Sequence, residues 1–187
     1  MADRLYLSYW VRGFTEHNML RHWERMLSRF PFSRLMPRAE LRIHAIELNE
    51  APLLVRDFGG DVSIDAVLKA ARDFLHADSG FVLDAAWDIW QFDEEWKLMP
   101  APVTLNCFGP LFPSDLGEQL LIEFGPDVHF LPGDDDADQL APVRHNIRSL
   151  LHLVDDLDGA LAVDKRKLWT ESGANFADRL QSTLGSR

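Results

Sequence analysis

Cysteine is almost absent from this 187-residue chain, which contains only Cys107. A single cysteine cannot form an internal disulfide, so the fold must be held by its core and not by a disulfide framework. No stretch approaches the ~18 consecutive apolar residues of a membrane span. The apolar run before Arg12 is too short and too polar for a secretory leader. We therefore expect a soluble cytoplasmic protein that does not enter a membrane.

Familiar catalytic and cofactor motifs are also missing. The chain has no phosphate-binding glycine loop, dinucleotide fingerprint, nucleophile elbow or His-Glu-x-x-His zinc motif. The acidic run 134–138 has alternating carboxylates, but a calcium loop beginning at Asp134 would need Gly and Glu where Gln139 and His145 stand. His145 and His152 are two helical turns apart, about 10 Å along the axis, which is too far to share one metal ion. We expect no metal site and no cofactor.

Positive charge is in deficit overall, yet it is concentrated near the start of the chain. The net charge is −11, which argues against a nucleic-acid partner because phosphates require a basic footprint. Residues 1–44 hold eight arginines, four acidic residues and no lysine, for a charge of +4, which leaves −15 for the remainder. Arginine without lysine favours fork-like pairing with carboxylates or phosphates. The basic segment could pair with acidic residues of the same chain or with an acidic ligand or partner.

Apolar periodicity divides the chain into strands and helices. Alternation typical of strands covers 5–12, 41–48, 53–58, 81–92, 96–99, 103–108 and 119–124, with a further short strand at 128–131. Helical spacing covers about 15–30, 63–76 and 142–159, and 163–185 is interpreted as a short helical turn plus a last helix. This order predicts a single α+β domain over 1–187, with an antiparallel-rich mixed sheet of about six strands. The helices should pack mainly on one face, and 162–187 should form a C-terminal helical extension.

The strand Phe81–Phe92 has an ordinary apolar face and an unusual second face. Side chains alternate across a strand, and the odd positions from 81 to 89 are all apolar. The even positions combine the carboxylates of Asp84 and Asp88 with the rings of Trp90 and Phe92. The two carboxylates lie roughly 13 Å apart along the strand, too far for a catalytic pair. This second face is therefore better interpreted as a binding surface.

The other strands extend this surface if their aliphatic faces pack on the helices. Aromatic rings with a few converging polar groups are typical of ligand pockets. The candidate ligand-binding residues are Tyr6, Trp10, Arg12, His44, Asp88, Trp90, Phe92, Thr104, Asn106 and Glu123. The alternative is that the C-terminal helices or a second subunit cover this face.

Three functions fit these observations. The first, which we favour, is a non-enzymatic binding or interaction protein that holds a small molecule or protein partner on its aromatic and polar sheet face. The second is a small-substrate enzyme on the same face, with Arg12, His44, Asp88 and Glu123 as its polar groups. The third is an acidic inhibitor or immunity-type protein that binds a basic partner. Homodimerisation through exposed aromatic residues stays open, and Cys107 is expected in the core.

Overall fold

Seven strands form one antiparallel sheet in the computed structural model, which describes residues 3–60, 62–131 and 140–173. The strands are β1 Arg4–Val11, β2 Glu40–Ala45, β3 Leu54–Asp57, β4 Ser79–Asp93, β5 Glu95–Phe108, β6 Leu120–Pro126 and β7 Val163–Thr170. The helices are α1 Met19–Arg29, α2 Ile64–Arg72 and α3 Leu140–Ala160, with a 3-10 helix at Asp127–Phe130. The strand order across the sheet is β3-β2-β4-β5-β6-β1-β7. This confirms the α+β fold, with one strand more than the six expected.

The long β4–β5 hairpin forms the centre of the sheet. Its register runs without a break over its whole length. The strands expected at 96–99 and 103–108 are therefore one strand, β5. Pro100 and Pro102 lie inside it, in the half of the hairpin that extends beyond the pairing with β6. There β5 has an open edge, which is where strands tolerate proline.

The main core lies between the helices and one face of the sheet. Trp23 and Leu27 of α1 and Ile147 of α3 are fully buried against odd-numbered strand residues such as Leu83. Cys107 belongs to the same core, as its strand parity predicts, and burial raises the pKa of its thiol. Within the described residues, no helix is long and apolar enough to cross a membrane.

One buried amide joins α3 to the outer half of the hairpin. The fully buried Asn146 accepts a hydrogen bond at Oδ1 from the backbone nitrogen of Trp90 (2.8 Å). Its Nδ2 donates to the carbonyl oxygens of Trp90 and His129, each at 2.8 Å. The side chain thus pairs with β4 as a neighbouring strand would, at a point beyond the last residue that β2 pairs.

Two segments differ from the expectation. Residues 163–170, expected to begin the helical extension, form β7 because they complete the open edge of β1 in antiparallel register. Four consecutive charged residues, 164–167, separate Val163 from Leu168 and Trp169, so the apolar spacing of this segment does not distinguish a strand from a helix. Residues 127–130 form the 3-10 helix instead of a strand. The acidic run 134–138 lies outside the described residues. So does the last helix expected before 185, because the structure describes this end of the chain only as far as residue 173.

Two glycines test the tightness of this packing. A Cβ at Gly109 would lie 2.3 Å from the carbonyl oxygen of Ala77, whereas a Cβ at Gly159 in α3 would meet nothing within 4 Å. Gly109→Ala should lower the free energy of unfolding by about 1–3 kcal/mol because backbone must move. Gly159→Ala should raise it by about 0.5–1 kcal/mol because alanine is the better helix former. Urea unfolding followed by circular dichroism measures both, and equal effects would contradict the packing described.

Candidate binding pocket on the open sheet face

The sheet face opposite the helices carries polar and aromatic side chains, in agreement with strand parity. Asp84, Thr104 and Glu123 are cross-strand neighbours on β4, β5 and β6. Tyr6 of β1 pairs with Glu123, and Trp169 of β7 pairs with Tyr6. Residues near both ends of the chain therefore meet in one row across five strands.

A small pocket opens on this face, with a volume of about 150 Å³. We call it the sheet-face pocket. Its sheet residues are Tyr6, Phe108, Leu121, Glu123 and Trp169, and its loop residues are Leu48, Pro113, Ser114, Asp115 and Glu118. Typical small-molecule sites measure roughly 300–1,000 Å³. The sheet-face pocket therefore suits a group no larger than one side chain.

Two stacked rings form one wall of the pocket. Tyr6 and Trp169 have ring centroids 4.4 Å apart and planes inclined by 19°. The indole Nε1 of Trp169 donates to Oγ of Ser8 (2.9 Å), and the hydroxyl of Tyr6 donates to Oε1 of Glu171 (2.8 Å). Burial and this hydrogen bond raise the pKa of Tyr6 to about 12. Both rings are thus held in position, and Tyr6 stays protonated at neutral pH.

A second pair of rings joins the pocket to the loop that follows β5. Phe108 and Phe112 stack with centroids 5.5 Å apart and planes only 3° from parallel. Phe112 fits because Gly80 lies beneath it, where a Cβ would approach the ring to 2.6 Å. These rings and Leu121 form a second small core to which the described helices contribute nothing. Part of the open face is therefore covered by this loop.

Glu118 places a buried carboxylate in the pocket wall. The residue is only 2% exposed. Its Oε2 accepts a hydrogen bond from the backbone nitrogen of Leu116 (2.8 Å), whereas its Oε1 has no hydrogen-bond partner among the described residues. Buried polar atoms are normally hydrogen-bonded, and a carboxylate oxygen without a donor is unfavourable. This oxygen is itself buried, so a donor from outside the chain reaches it only when the side chains over it move.

Glu123 adds a second, half-buried carboxylate. Its Oε1 accepts from Nδ2 of Asn106 (3.1 Å), and its Oε2 lies 3.8 Å from a guanidinium nitrogen of the mostly exposed Arg4. Burial raises the pKa of Glu123, and the negative charges of Asp84 and Asp115 add to that effect. The donors Asn106 and Arg4 act in the opposite direction without cancelling it.

The pocket is lined both by aromatic rings and by an excess of acidic side chains. Asp115, Glu118 and Glu123 line it. Nζ of Lys167 lies 5.8 Å from the ring centroid of Trp169, so this ring already faces one cation of the chain. Among the described residues no three histidine, cysteine or acidic side chains converge in a way that could hold a metal ion. The arrangement can accept an organic cation through both carboxylate and ring contacts.

Of the ten predicted site residues, only Tyr6 and Glu123 line the pocket. Three of the others lie near the ends of β1 and β2. Trp10 has Nζ of Lys165 at 4.4 Å from its ring centroid. Arg12 is exposed, just after the end of β1, where its backbone nitrogen donates to the carbonyl oxygen of Ala162 (2.8 Å). His44 is buried, and its Nδ1 lies 3.1 Å from the carbonyl oxygen of Glu50.

The predicted surface is interrupted along β4, and three more candidates lie on its outer half. Asp88 accepts hydrogen bonds from the hydroxyl of Ser33 and from two backbone N–H groups of the loop after α1. Trp90 is held through its backbone by Asn146, and Phe92 is 59% exposed near the hairpin turn. The pairing of β2 with β4 stops at residue 84, so the loop and α3 become the neighbours of this half. Parity alone does not reveal that change.

Pairing within the chain accounts for part of the N-terminal basic excess. Arg42 contacts Asp84 at 2.7 Å, and Arg38 contacts Asp57 at 3.2 Å. By contrast, the exposed arginines at 21, 25 and 29 of α1 form no ion pair with a described residue.

Sequence reasoning missed Glu118 and Trp169. Lys165, Lys167 and Trp169 share one strand parity, which was the available signal for placing Trp169 on the open face. Glu118 belongs to a loop whose path depends on the Phe112–Gly80 contact, and no local pattern signals its burial.

No known protein family, curated protein or solved structure matches this chain. The evidence on function therefore comes from the pocket and from the charge of the chain.

The raised pKa of Glu123 predicts a pH-dependent stability. The folded protein binds this proton more tightly than the unfolded chain, so the group favours folding at low pH and opposes it as pH rises from 4.5 through the raised pKa. Glu123→Gln removes the penalty and keeps an acceptor for Asn106. The variant should be more stable than the parent at pH 7, and the difference should shrink towards pH 4.5. Urea unfolding across this pH range measures it, and a pH-independent difference would contradict the assignment.

Proposed function

We propose that the chain is a binding protein that holds an organic cation in the sheet-face pocket. The observation that carries this proposal is the buried Oε1 of Glu118, which lacks a donor in a pocket walled by the Tyr6–Trp169 stack. An ammonium or guanidinium group in the pocket would place its charge near the aromatic rings, and would donate to this oxygen once the side chains over it move. Charge-assisted hydrogen bonds and cation–π contacts would then act on the same group.

The charge of the pocket favours a cation over an anionic or neutral ligand. An anion would meet the carboxylates of Asp115, Glu118 and Glu123. A purely apolar ligand would leave Glu118 without its missing donor. The net charge of −11 also raises the local concentration of cations around the protein.

The positions of the polar groups support binding over catalysis. Of the four residues considered for an enzyme, only Glu123 lines the sheet-face pocket. Asp88 anchors a loop, His44 is adjacent to the carbonyl oxygen of Glu50, and Arg12 follows the end of β1. A small-substrate enzyme would need several of them around one cavity.

A pair of isosteric ligands tests the proposal. Titration of n-butylguanidinium into ¹⁵N-labelled protein should cause saturable shifts of the Trp169 indole N–H and of the amides near Glu118 and Glu123. Neutral n-butylurea, which has nearly the same shape, should cause none at the same concentration because it brings no charge. Absence of saturable shifts at the pocket with n-butylguanidinium would contradict the proposed function.

Matched variants separate the pocket from the general charge of the protein. Glu118→Gln should weaken n-butylguanidinium binding at least about tenfold, which is about 1.4 kcal/mol. Glu24→Gln makes the same charge change on the exposed side of α1 and should leave the affinity unchanged. Equal weakening by both would assign the effect to net charge. Glu123→Gln serves as a second pocket variant, and amide spectra verify that each variant is folded.

A further inference from the structure

We infer that the bound cation is a lysine or arginine side chain of a basic protein partner that docks on the rim of the sheet-face pocket. This inference rests on the proposed function and names the source of the cation. The pocket volume of about 150 Å³ accommodates one basic side chain and not a larger ligand. The remaining contact area would come from the surface around the opening.

The two loops that line the pocket carry exposed apolar residues, which we call the rim. They are Ile46 (66% exposed), Leu48 (44%), Leu111 (75%) and Leu116 (40%). Leu48 lines the pocket itself, and Leu116 is joined to Glu118 through its backbone nitrogen. A free cation small enough for the pocket would leave most of this apolar area in water. A docked protein would bury it.

Two loops are fixed side by side to form this rim. The backbone nitrogen of Ile46 donates to the carbonyl oxygen of Asp78 (3.0 Å), and that of Leu111 donates to the carbonyl oxygen of Ala77 (2.8 Å). Both rim residues are thus anchored on the same connection, just before β4. The rim is therefore built into the fold.

The backbone of Ile46 is strained. Its φ of 72° lies in the left-handed region, which β-branched residues rarely adopt. Such strain persists where the surrounding structure imposes it and is concentrated at binding and switch regions. Here it keeps an exposed isoleucine at the beginning of the loop that supplies Leu48 to the pocket.

The combination matches the known anatomy of protein interfaces. Binding energy is concentrated where an anchor side chain enters a pocket, and surrounding contacts exclude water from it. An acidic pocket on a protein of charge −11 selects and attracts a basic partner. A second copy of this chain carries the same negative charge, so it is a poorer occupant than a basic protein.

Selection from a short random peptide library, displayed on phage and screened against the intact 187-residue chain, tests this inference. The selected peptides should contain a lysine or arginine flanked by apolar residues. As synthetic peptides they should bind at least about tenfold more tightly than n-butylguanidinium. They should also lose binding to the Glu118→Gln variant. Peptides that bind no more tightly than n-butylguanidinium would overturn the inference.

A rim variant assigns the extra affinity to the apolar surface. Leu111→Ser should weaken peptide binding at least about threefold, yet leave n-butylguanidinium binding unchanged. Leu98→Ser is the matched control, because Leu98 on β5 is 43% exposed and lies outside the rim. Equal weakening by Leu98→Ser would overturn the inference. So would self-association in sedimentation experiments that Leu111→Ser abolishes, because the rim would then hold a second copy.

The two proposals fail in different ways. If n-butylguanidinium binds and the peptides gain nothing over it, the proposed function stands and only the protein partner is excluded. If neither n-butylguanidinium nor any selected basic peptide binds at the pocket, both proposals are wrong.

Discussion

The unbroken pairing of β4 with β5 is the constraint on which both faces of the sheet depend. Leu83 lies opposite Leu105 on the helix side, and Asp84 lies opposite Thr104 on the open side. A slip of one residue would exchange the two faces of one strand and bury its carboxylates against the helices. Both outer edges of the hairpin pair with a further strand, β2 with β4 and β6 with β5. The remaining strands join these two, with β3 beside β2 and with β1 and then β7 beyond β6.

The strand order explains how a pocket forms from distant parts of the chain. β6 lies between β5 and β1, and β7 completes the edge beyond β1. Glu123, Tyr6 and Trp169 therefore become neighbours, and the loop after β5 closes the pocket with Glu118. The loop can fold back because Gly80 leaves room for Phe112. The carboxylates are thus desolvated by the same packing that positions the rings.

Much of this arrangement could be predicted from alternation alone. Period-two patterns placed Tyr6, Thr104 and Asn106 on one face, since parity does not depend on strand order. Asp88 and Trp90 have the same parity, yet their neighbours depend on where β2 stops pairing, which no local pattern shows. The segment of Trp169 has no clear apolar period, and its pairing with the edge of β1 makes it a strand. Burial of Glu118 depends on the path of a loop and could not be predicted.

We propose that an external cation completes the buried carboxylate site of this protein. The most direct measurement is the pKa of Glu123, followed by carboxyl ¹³C NMR in the free protein and at saturation with n-butylguanidinium. We expect a pKa above the ordinary 4.5 in the free protein and a lower pKa in the complex, because a nearby cation stabilises the charged form. An ordinary pKa in the free protein, or no change at saturation, would contradict it.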